Sequence, residues 1–309
     1  MNIIYSIGKR IGGSNQALEF IKNTNHKVKI AAYSVSSYSI PHVDWILDPM
    51  HKVENFYIDD IDHLRYNLNH INSLVKDVID FNPDLIITDC EHILSFIARK
   101  LNIKLWYCSS LHLIDGWIAR EKIIYNYWFE LFKNQRTKFP EAERTLIYSP
   151  FGDLSNSLRL KKKYEWIRPY YSEYKEISIE ENIRKSKLEK IIKHSEKNTN
   201  YIFTDGLTND ISNAIYNNQN IISSPSNPIY NKNNISSVYS LTHLESMVNS
   251  VVVEKLQIGC NIGQIELIDI YDAVDLLNAA YNKKYNDIEF NDSSILQLHE
   301  EVDKYANSF

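Results

Sequence analysis

Short apolar runs alternate with helical patterns in the first third of the chain, and this alternation limits the possible folds more than any other feature. Residues 1–7, 27–33 and 84–89 are apolar runs of strand length, whereas residues 15–22 and 93–101 have helical spacing. Strands that alternate with helices form βαβ units, in which helices cover the faces of a parallel sheet. The sequence therefore predicts an α/β fold.

The pattern continues through a first domain and then repeats in a smaller second one, as expected for a chain too long for one ordinary core. The further elements predicted for the first domain are a helix at 61–80, a strand at 104–108, a helix at 115–132 and a strand at 145–148. Those predicted for the second are strands at 201–204 and 220–223 and helices at 180–197, 210–216, 244–256 and within 265–309. We place the first domain at residues 1–153, a crossing linker at 154–167 and the second domain at 168–309, with its last helical segment packing back on the body.

Composition favours an ordinary globular protein with no global attraction to nucleic acid or acidic membranes. The 309 residues carry 34 basic and 39 acidic side chains, for a net charge of −5, so an anionic partner must be held by a local patch. Three widely spaced cysteines do not suggest a disulfide framework, and no apolar stretch reaches the ~18 residues that span a bilayer. We expect a cytoplasmic protein. The many Tyr, Asn, Ile and Lys residues suggest an AT-rich coding genome such as that of a virus or a low-GC microbe. For a virus or phage, the location would be the host cytoplasm.

A glycine turn follows the predicted strand at 201–204 and opens a predicted helix. It places the backbone of Gly206 and the polar groups of Thr208 and Asn209 where a diphosphate would bind. Ser224 follows the next strand, where it either lines the same pocket or only belongs to a turn. The second domain is thus predicted to hold half of a nucleotide site.

Three candidate acid–base groups follow strands of the first domain. Asp89 and Glu91 come at the carboxyl end of the strand at 84–89, the end at which α/β sheets place ligands. Capping of the next helix explains them equally well. His112 follows the strand at 104–108 and is a suitable base near neutral pH.

Two further clusters have competing interpretations. Lys161, Lys162 and Lys163 lie among aromatic residues and either grip phosphates or form a solvated connector. A second cluster has metal-ligand side chains at close spacing, but prolines break any helix that would align them, and we expect a surface loop and no metal. Its members are His42, Asp44, Asp48 and His51.

The order of these motifs resembles that of the GT-B nucleotide-sugar glycosyltransferases, especially the group of the peptidoglycan N-acetylglucosaminyltransferase and its archaeal relatives. The resemblance is carried by the loop at 8–14, the strand end at 82–91, the interdomain crossing at 146–151 and 166–169, and the paired segments 205–213 and 245–249. It implies two Rossmann-like domains of GT-B type that face a cleft, with the second domain abbreviated. No cofactor is implied besides the donor substrate, a nucleotide sugar that we expect to be UDP-linked.

The resemblance also implies roles for residues at the matching positions. Glu245 and Asn249 are four residues apart, on one helical face, and would face the donor together with Asn213, which replaces the family's ribose-binding Glu. Gly12 and Gly13 would lie on the acceptor or phosphate side, as would Ser14. Ser14 stands where the family often has the histidine that deprotonates the acceptor, and a hydroxyl is too weak a base for that task.

The sequence therefore predicts an inverting, metal-independent glycosyltransferase that moves a sugar from a nucleoside diphosphate to a hydroxyl. The acceptor is either a hydroxymethylated pyrimidine of viral duplex DNA or an envelope or small-molecule hydroxyl. The missing histidine and short second domain motivate a third hypothesis, a non-catalytic GT-B-like binding module.

Overall fold

The computed structural model describes residues 1–8, 11–37, 40–47, 68–110, 141–149, 153–155, 164–167, 190–191, 193–194, 201–204, 220–223, 235–239, 256–257, 259–264, 269–281 and 296–308. The chain divides into two compact units. The first comprises Met1–Ser149, Leu160–Tyr170 and Ser293–Phe309, and the second comprises Pro150–Arg159 and Tyr171–Asp292.

The first unit is built on a seven-stranded sheet. Its strands are β1 (Asn2–Ile7), β2 (Lys27–Ala32), β3 (Trp45–Ile46), β4 (Leu85–Asp89), β5 (Lys104–Ser110), β6 (Arg144–Tyr148) and β7 (Glu165–Ile167). They lie in the order β3-β2-β1-β4-β5-β6-β7, and every pair is parallel. Strand β4 is buried along its whole length, as expected for a central strand covered on both faces.

Helices cover both faces of this sheet. They are α1 (Ile11–Asn23), α2 (Ser34–Ser37), α3 (Leu68–Phe81) and α4 (Ile93–Leu101). One face packs against α1 through Ala17 and Phe20, and the other packs against α3 and α4. Helix α4 ends at Asn102, whose left-handed φ of 54° lets its N–H bond the carbonyl oxygens of Ala98 and Arg99. The predicted strands and the helix at 93–101 are confirmed, and the predicted helix at 61–80 is confirmed from Leu68 onward.

The predicted helix start after β1 is wrong. We expected a loop through residue 14 because glycines favour turns, but α1 begins at Ile11 and includes Gly12, Gly13 and Ser14 in its first turn. The entropic penalty of glycine applies to helix interiors, and it is smaller in a first turn, where fewer intrahelical hydrogen bonds fix the backbone.

The predicted domain division placed two segments outside the first domain that the structure places in the first unit. The predicted linker at 154–167 contains β7, which pairs with β6 in the first sheet. The predicted second domain contains α6 (Leu298–Ala306), which belongs to the first unit. Leu298 and Val302 of α6 are fully buried in the same cluster as α1, and this apolar pair explains why the end of the chain packs there.

Arg144 ties α6 to the edge of the first sheet. Its guanidinium bonds Glu165 of β7, lies 2.8 Å from the Glu301 carboxylate of α6, and packs 4.5 Å from the centre of the Trp106 ring. The amphipathic pattern predicted that the last helix packs back on the rest of the chain, and the structure shows that it packs on the first unit.

The second unit contains a four-stranded parallel sheet in the order β11-β10-β9-β8. Its strands are β8 (Tyr201–Thr204), β9 (Asn220–Ser223), β10 (Ile235–Tyr239) and β11 (Gly259–Gln264), and its described long helix is α5 (Ile270–Tyr281). The predictions for β8 and β9 are confirmed. Sequence reasoning missed β10 and β11 because serine, glycine and asparagine interrupt their apolar residues. The predicted helices at 115–132 and 210–216, and nearly all of that at 244–256, lie outside the described residues.

Candidate functional site

The strand order of the first sheet reverses between β1 and β4. The chain moves from β1 to β2 on one side and later returns to β4 on the other side of β1. All strands are parallel, so β1 and β4 end at the same edge, and at such a switch point open α/β sheets bind their ligands. Gly8 follows β1 there, and Asp89, Cys90 and Glu91 end or follow β4.

Gly8 and Cys90 form a close backbone contact at this switch point. The Gly8 N–H donates to the Asp89 carbonyl oxygen at 2.8 Å, and a Cβ on residue 8 would lie 2.3 Å from the Cys90 carbonyl oxygen. Cys90 itself has a left-handed φ of 51°. Only glycine fits at position 8 without a backbone shift, so the first loop and the turn after β4 are held against each other.

The first turn of α1 follows Gly8 after two residues. The backbone N–H groups of a first helical turn lack intrahelical acceptors and can bind an anion. The structure describes the backbone of Gly12, Gly13 and Ser14 but not their side chains, so their assignment to acceptor or phosphate binding stays a prediction.

Asp89 lies on the α1 face of the sheet, at its carboxyl edge. It is 2% exposed, and its register partners Ile7 and Cys108 both belong to the core cluster on the α1 face. Two tyrosines cross this face, with the hydroxyls of Tyr5 and Tyr148 3.0 Å apart.

The acids around Asp89 are held in their neutral forms. Burial, and next the Asp89 carboxylate, raises the pKa of the Cys108 thiol and of the Tyr148 hydroxyl well above their ordinary values. A second negative charge beside Asp89 is unfavourable in this buried site. The arrangement therefore keeps one carboxylate among neutral hydrogen-bonding groups at the switch point, which suits proton handling or orientation of a ligand hydroxyl.

Glu91 lies on the opposite, α4 side and is fully buried. Its carboxylate accepts hydrogen bonds from the backbone N–H groups of Ile93 and Leu94, the latter at 2.9 Å, and from the Ser6 hydroxyl of β1 at 2.8 Å. These contacts are those of a helix cap that is also tied to the neighbouring strand. They agree with the capping interpretation of Glu91. Its catalytic role stays a prediction.

His92 follows Glu91 directly, and sequence reasoning missed it. Its side chain is half-buried at the start of α4, and its ring stacks on that of Tyr107, with centroids 5.8 Å apart and an interplanar angle of 29°. The signal was present in the sequence as a histidine three residues after the last residue of a central strand.

Most of the other predicted site residues lie outside the described residues. These are His112, Lys161, Lys162, Lys163, Gly206, Thr208, Asn209, Asn213, Ser224, Glu245 and Asn249. Strand β8, which precedes the glycine turn, is present as predicted. The donor-binding assignments therefore stay predictions.

Among the described residues, no group of three or more His, Cys, Asp or Glu side chains is placed to hold a metal ion. The carboxylate of Asp44, a member of the cluster that we expected to form a surface loop, accepts from the backbone N–H of Ile30 at 2.8 Å and lies 3.6 Å from His42. Within the same described ranges, every helix is too short or too polar to span a membrane.

Comparison with solved structures identifies the fold class. The spinosyn forosaminyltransferase SpnP matches with a TM-score of 0.59 at 11% identity, over 100% of this chain and 99% of that one. The spinosyn rhamnosyltransferase SpnG complexed with thymidine diphosphate matches with a TM-score of 0.58 at 9% identity, over 92% of each chain. MurG from Acinetobacter baumannii matches with a TM-score of 0.57 at 10% identity, over 100% and 99%.

These matches are all glycosyltransferases of the GT-B fold. The chain therefore has an α/β fold of GT-B type, as its motif order predicted. No family model and no curated protein matches the sequence, so the likeness is one of fold.

Proposed function

We propose that this protein is a glycosyltransferase that moves a sugar from a nucleoside diphosphate sugar to a hydroxyl acceptor with inversion at the anomeric carbon. The GT-B fold over the whole chain is the observation that carries the proposal. The switch point of the first sheet adds local support, since a buried carboxylate and the first turn of α1 both lie at its carboxyl edge.

The donor is assigned to the second unit, on the glycine turn after β8. SpnG, one of the matching structures, is complexed with thymidine diphosphate. In our proposal the backbone at Gly206 and the side chains of Thr208 and Asn209 bind the diphosphate, and Asn213, Glu245 and Asn249 bind the nucleoside. The donor is UDP-linked, and transfer needs neither metal nor cofactor.

The acceptor is assigned to the carboxyl edge of the first sheet. Asp89 is the described carboxylate best placed to act on an acceptor hydroxyl, because the carboxylate of Glu91 already bonds the start of α4. The proposed acceptor is a hydroxymethylated pyrimidine of duplex DNA, bound in part by Lys161, Lys162 and Lys163. A small-molecule or envelope hydroxyl is the alternative.

A donor screen tests the proposal. The protein is incubated with UDP- and TDP-linked sugars, and binding is measured by calorimetry and slow donor hydrolysis by release of nucleoside diphosphate. We expect one donor class to bind and to be hydrolysed, and we expect Gly206→Val and Asn249→Ala to weaken binding. Donor binding without hydrolysis or transfer would favour the non-catalytic module suggested by Ser14, and no binding at all would overturn the proposal.

The DNA acceptor has its own test. Phosphate contacts make binding salt-dependent, and each contact removed lowers the salt slope. Replacement of Lys161, Lys162 and Lys163 by Gln should weaken binding to duplex DNA and flatten its salt dependence. Unchanged DNA binding would leave the small-molecule or envelope hydroxyl as the acceptor.

A further inference from the structure

The general base is the part of the proposed reaction for which the family resemblance supplies no residue, because Ser14 replaces the expected histidine. We propose that His92 is the general base of the proposed glycosyl transfer. This inference rests on the proposed function and adds a catalytic residue to it. It follows from the position, exposure and support of the His92 ring.

His92 lies at the carboxyl edge of the sheet, two residues after the left-handed turn at Cys90. It immediately precedes α4, which packs on β4 and β5, and its ring stacks on Tyr107 of β5. A base at this edge is where an open α/β sheet places its substrate.

Exposure separates His92 from the two neighbouring carboxylates. A general base must come within about 3 Å of the acceptor hydroxyl. Asp89 is 2% exposed and Glu91 is fully buried, whereas the His92 side chain is only half-buried. Of these three groups, the imidazole presents the most surface to a hydroxyl that arrives from solvent.

The backbone and the ring of His92 are both held in place. The Glu91 carboxylate bonds the backbone N–H groups of Ile93 and Leu94 on one side and Ser6 of β1 on the other, which fixes the start of α4. The ring stacks on Tyr107, which is 1% exposed. A catalytic side chain held this way loses little further freedom when it meets its substrate.

The other described histidines lie elsewhere in the fold. His26 lies between the N-terminal amine and Asp303 of α6, His70 bonds the Ile46 carbonyl oxygen of β3, and His194 bonds the Lys190 carbonyl oxygen in the second unit. His42 precedes β3 and pairs with Asp44, and His299 is on α6. Among the described histidines, His92 alone follows a central strand at the carboxyl edge.

The proposed step balances as follows. The acceptor hydroxyl gives its proton to an imidazole nitrogen of neutral His92 as its oxygen forms a bond to the anomeric carbon. The bond from that carbon to the diphosphate oxygen breaks, and the nucleoside diphosphate leaves with the electron pair. Histidine suits this task because its charge changes near neutral pH.

The first test is the pH dependence of kcat/KM, which reports the essential base of the free enzyme. His92→Gln should lower kcat/KM toward a hydroxyl acceptor by about 10²- to 10⁴-fold and abolish the loss of rate toward acid pH. It should leave donor binding by calorimetry unchanged. His42→Gln, a matched change at an 81% exposed side chain, should match the unsubstituted protein, and His112→Gln tests the histidine predicted from sequence.

The second test bypasses the base. An aryl thiol acceptor used above its own pKa is already ionised and needs no deprotonation. His92→Gln should transfer sugar to this thiolate as well as His42→Gln does, while it fails with the matching phenol. A variant that had only lost structure would fail with both acceptors.

The outcomes separate the inference from the proposed function. Failure of the unsubstituted protein to bind or hydrolyse any nucleotide sugar would overturn the proposed function and the inference with it. If the unsubstituted protein is active and His92→Gln still loses rate toward acid pH as that protein does, the inference alone is overturned. Loss of the acid limb in His112→Gln instead would assign the base to that residue.

Discussion

The turn after β4 separates two buried carboxylates that lie two residues apart in opposite surroundings. On the α4 side, Glu91 accepts hydrogen bonds from two backbone N–H groups and from Ser6. On the α1 side, Asp89 lies beside the thiol of Cys108 and the hydroxyl of Tyr148, and its charge helps to raise the pKa of both groups. The left-handed residue Cys90 directs the chain from one side to the other.

This difference shows how residues of one chemical class at one strand end acquire different tasks. A carboxylate that meets the N–H groups of a helix start is stabilised in its charged form and fixes the local fold. A carboxylate among buried neutral acids does little for the helix but can orient or exchange protons. The contacts of Glu91 are therefore structural, whereas the ligand-directed task of Asp89 belongs to the proposed function.

The strongest test of the α4 side is Glu91→Ala. We expect it to lower the free energy of unfolding of the first unit by about 3 kcal/mol, because it removes a helix cap and several hydrogen bonds to a buried charge. Glu91→Gln keeps one acceptor oxygen and should cost less. Urea unfolding measures both, with Glu19→Ala on α1, whose partner Lys22 is 66% exposed, as the control. Equal losses for Glu91→Ala and Glu19→Ala would contradict the structural assignment.

The α1 side is tested by Asp89→Asn. Sugar transfer should fall by about 100-fold, the cost of a misplaced acceptor hydroxyl, with a small change in unfolding free energy. Removal of the charge should also lower the pKa of Tyr148, because the Asp89 carboxylate raises it; the difference in tyrosine absorbance between each protein and its Tyr148→Phe variant, followed against pH, measures this. The control is Asp84→Asn at the opposite end of the strand, where the carboxylate accepts from the exposed Asn2 N–H at 2.7 Å. If both variants transfer sugar equally well, Asp89 has no catalytic task.

The sequence predicts well that β4 ends at Asp89, but it predicts poorly which contacts the residues around this strand end make. Continuous apolar residues mark β4, and parallel order places its end at the ligand edge. The Glu91 carboxylate also bonds Ser6, which is 85 residues away in sequence, and no local pattern predicts that contact. His92 was missed for a related reason, since its support comes from Tyr107 on the neighbouring strand.

The second unit also contains elements that depend on distant contacts and that the sequence pattern did not reveal. The apolar strands β8 and β9 were found by pattern, whereas β10 and β11 were not. Parallel strands obtain their pairing from distant segments, so strands interrupted by polar residues, such as β10 and β11, leave little local signal. The return of α6 to the first unit was likewise visible only as an amphipathic pattern, because Arg144 and Glu165 complete its contacts.

A change at Gly8 should disturb both sides of the turn at once. A Cβ at this position would lie 2.3 Å from the Cys90 carbonyl oxygen, so Gly8→Ala must shift the backbone between Asp89 and Glu91. We expect a loss of about 2 kcal/mol in unfolding free energy, within the range for overpacked sites, together with slower sugar transfer. Thermal unfolding and a transfer assay on the same preparation measure the two effects. An unchanged melting temperature would show that the turn moves freely.

Replacement of a third carboxylate, Glu301 on α6, should have the smallest effect on stability, and it serves as a reference for Asp89 and Glu91. Burial alone would raise its pKa, but hydrogen bonds from Lys304 at 2.7 Å and Arg144 at 2.8 Å outweigh burial and hold the pKa below its ordinary value of 4.5. Because the folded-state pKa is the lower one, this contribution to stability is present above the unfolded-state pKa and is lost as the pH falls through the folded-state pKa. Glu301→Gln should therefore cost about 1 kcal/mol near neutral pH, and the difference from the unsubstituted protein should shrink toward acid. Unfolding free energies measured down to about pH 3 test this, and a pH-independent difference would show that the side chain acts by packing. Glu301 should then be the easiest of the three to replace, since side-chain cations hold it, whereas the backbone N–H groups of Ile93 and Leu94 fix Glu91.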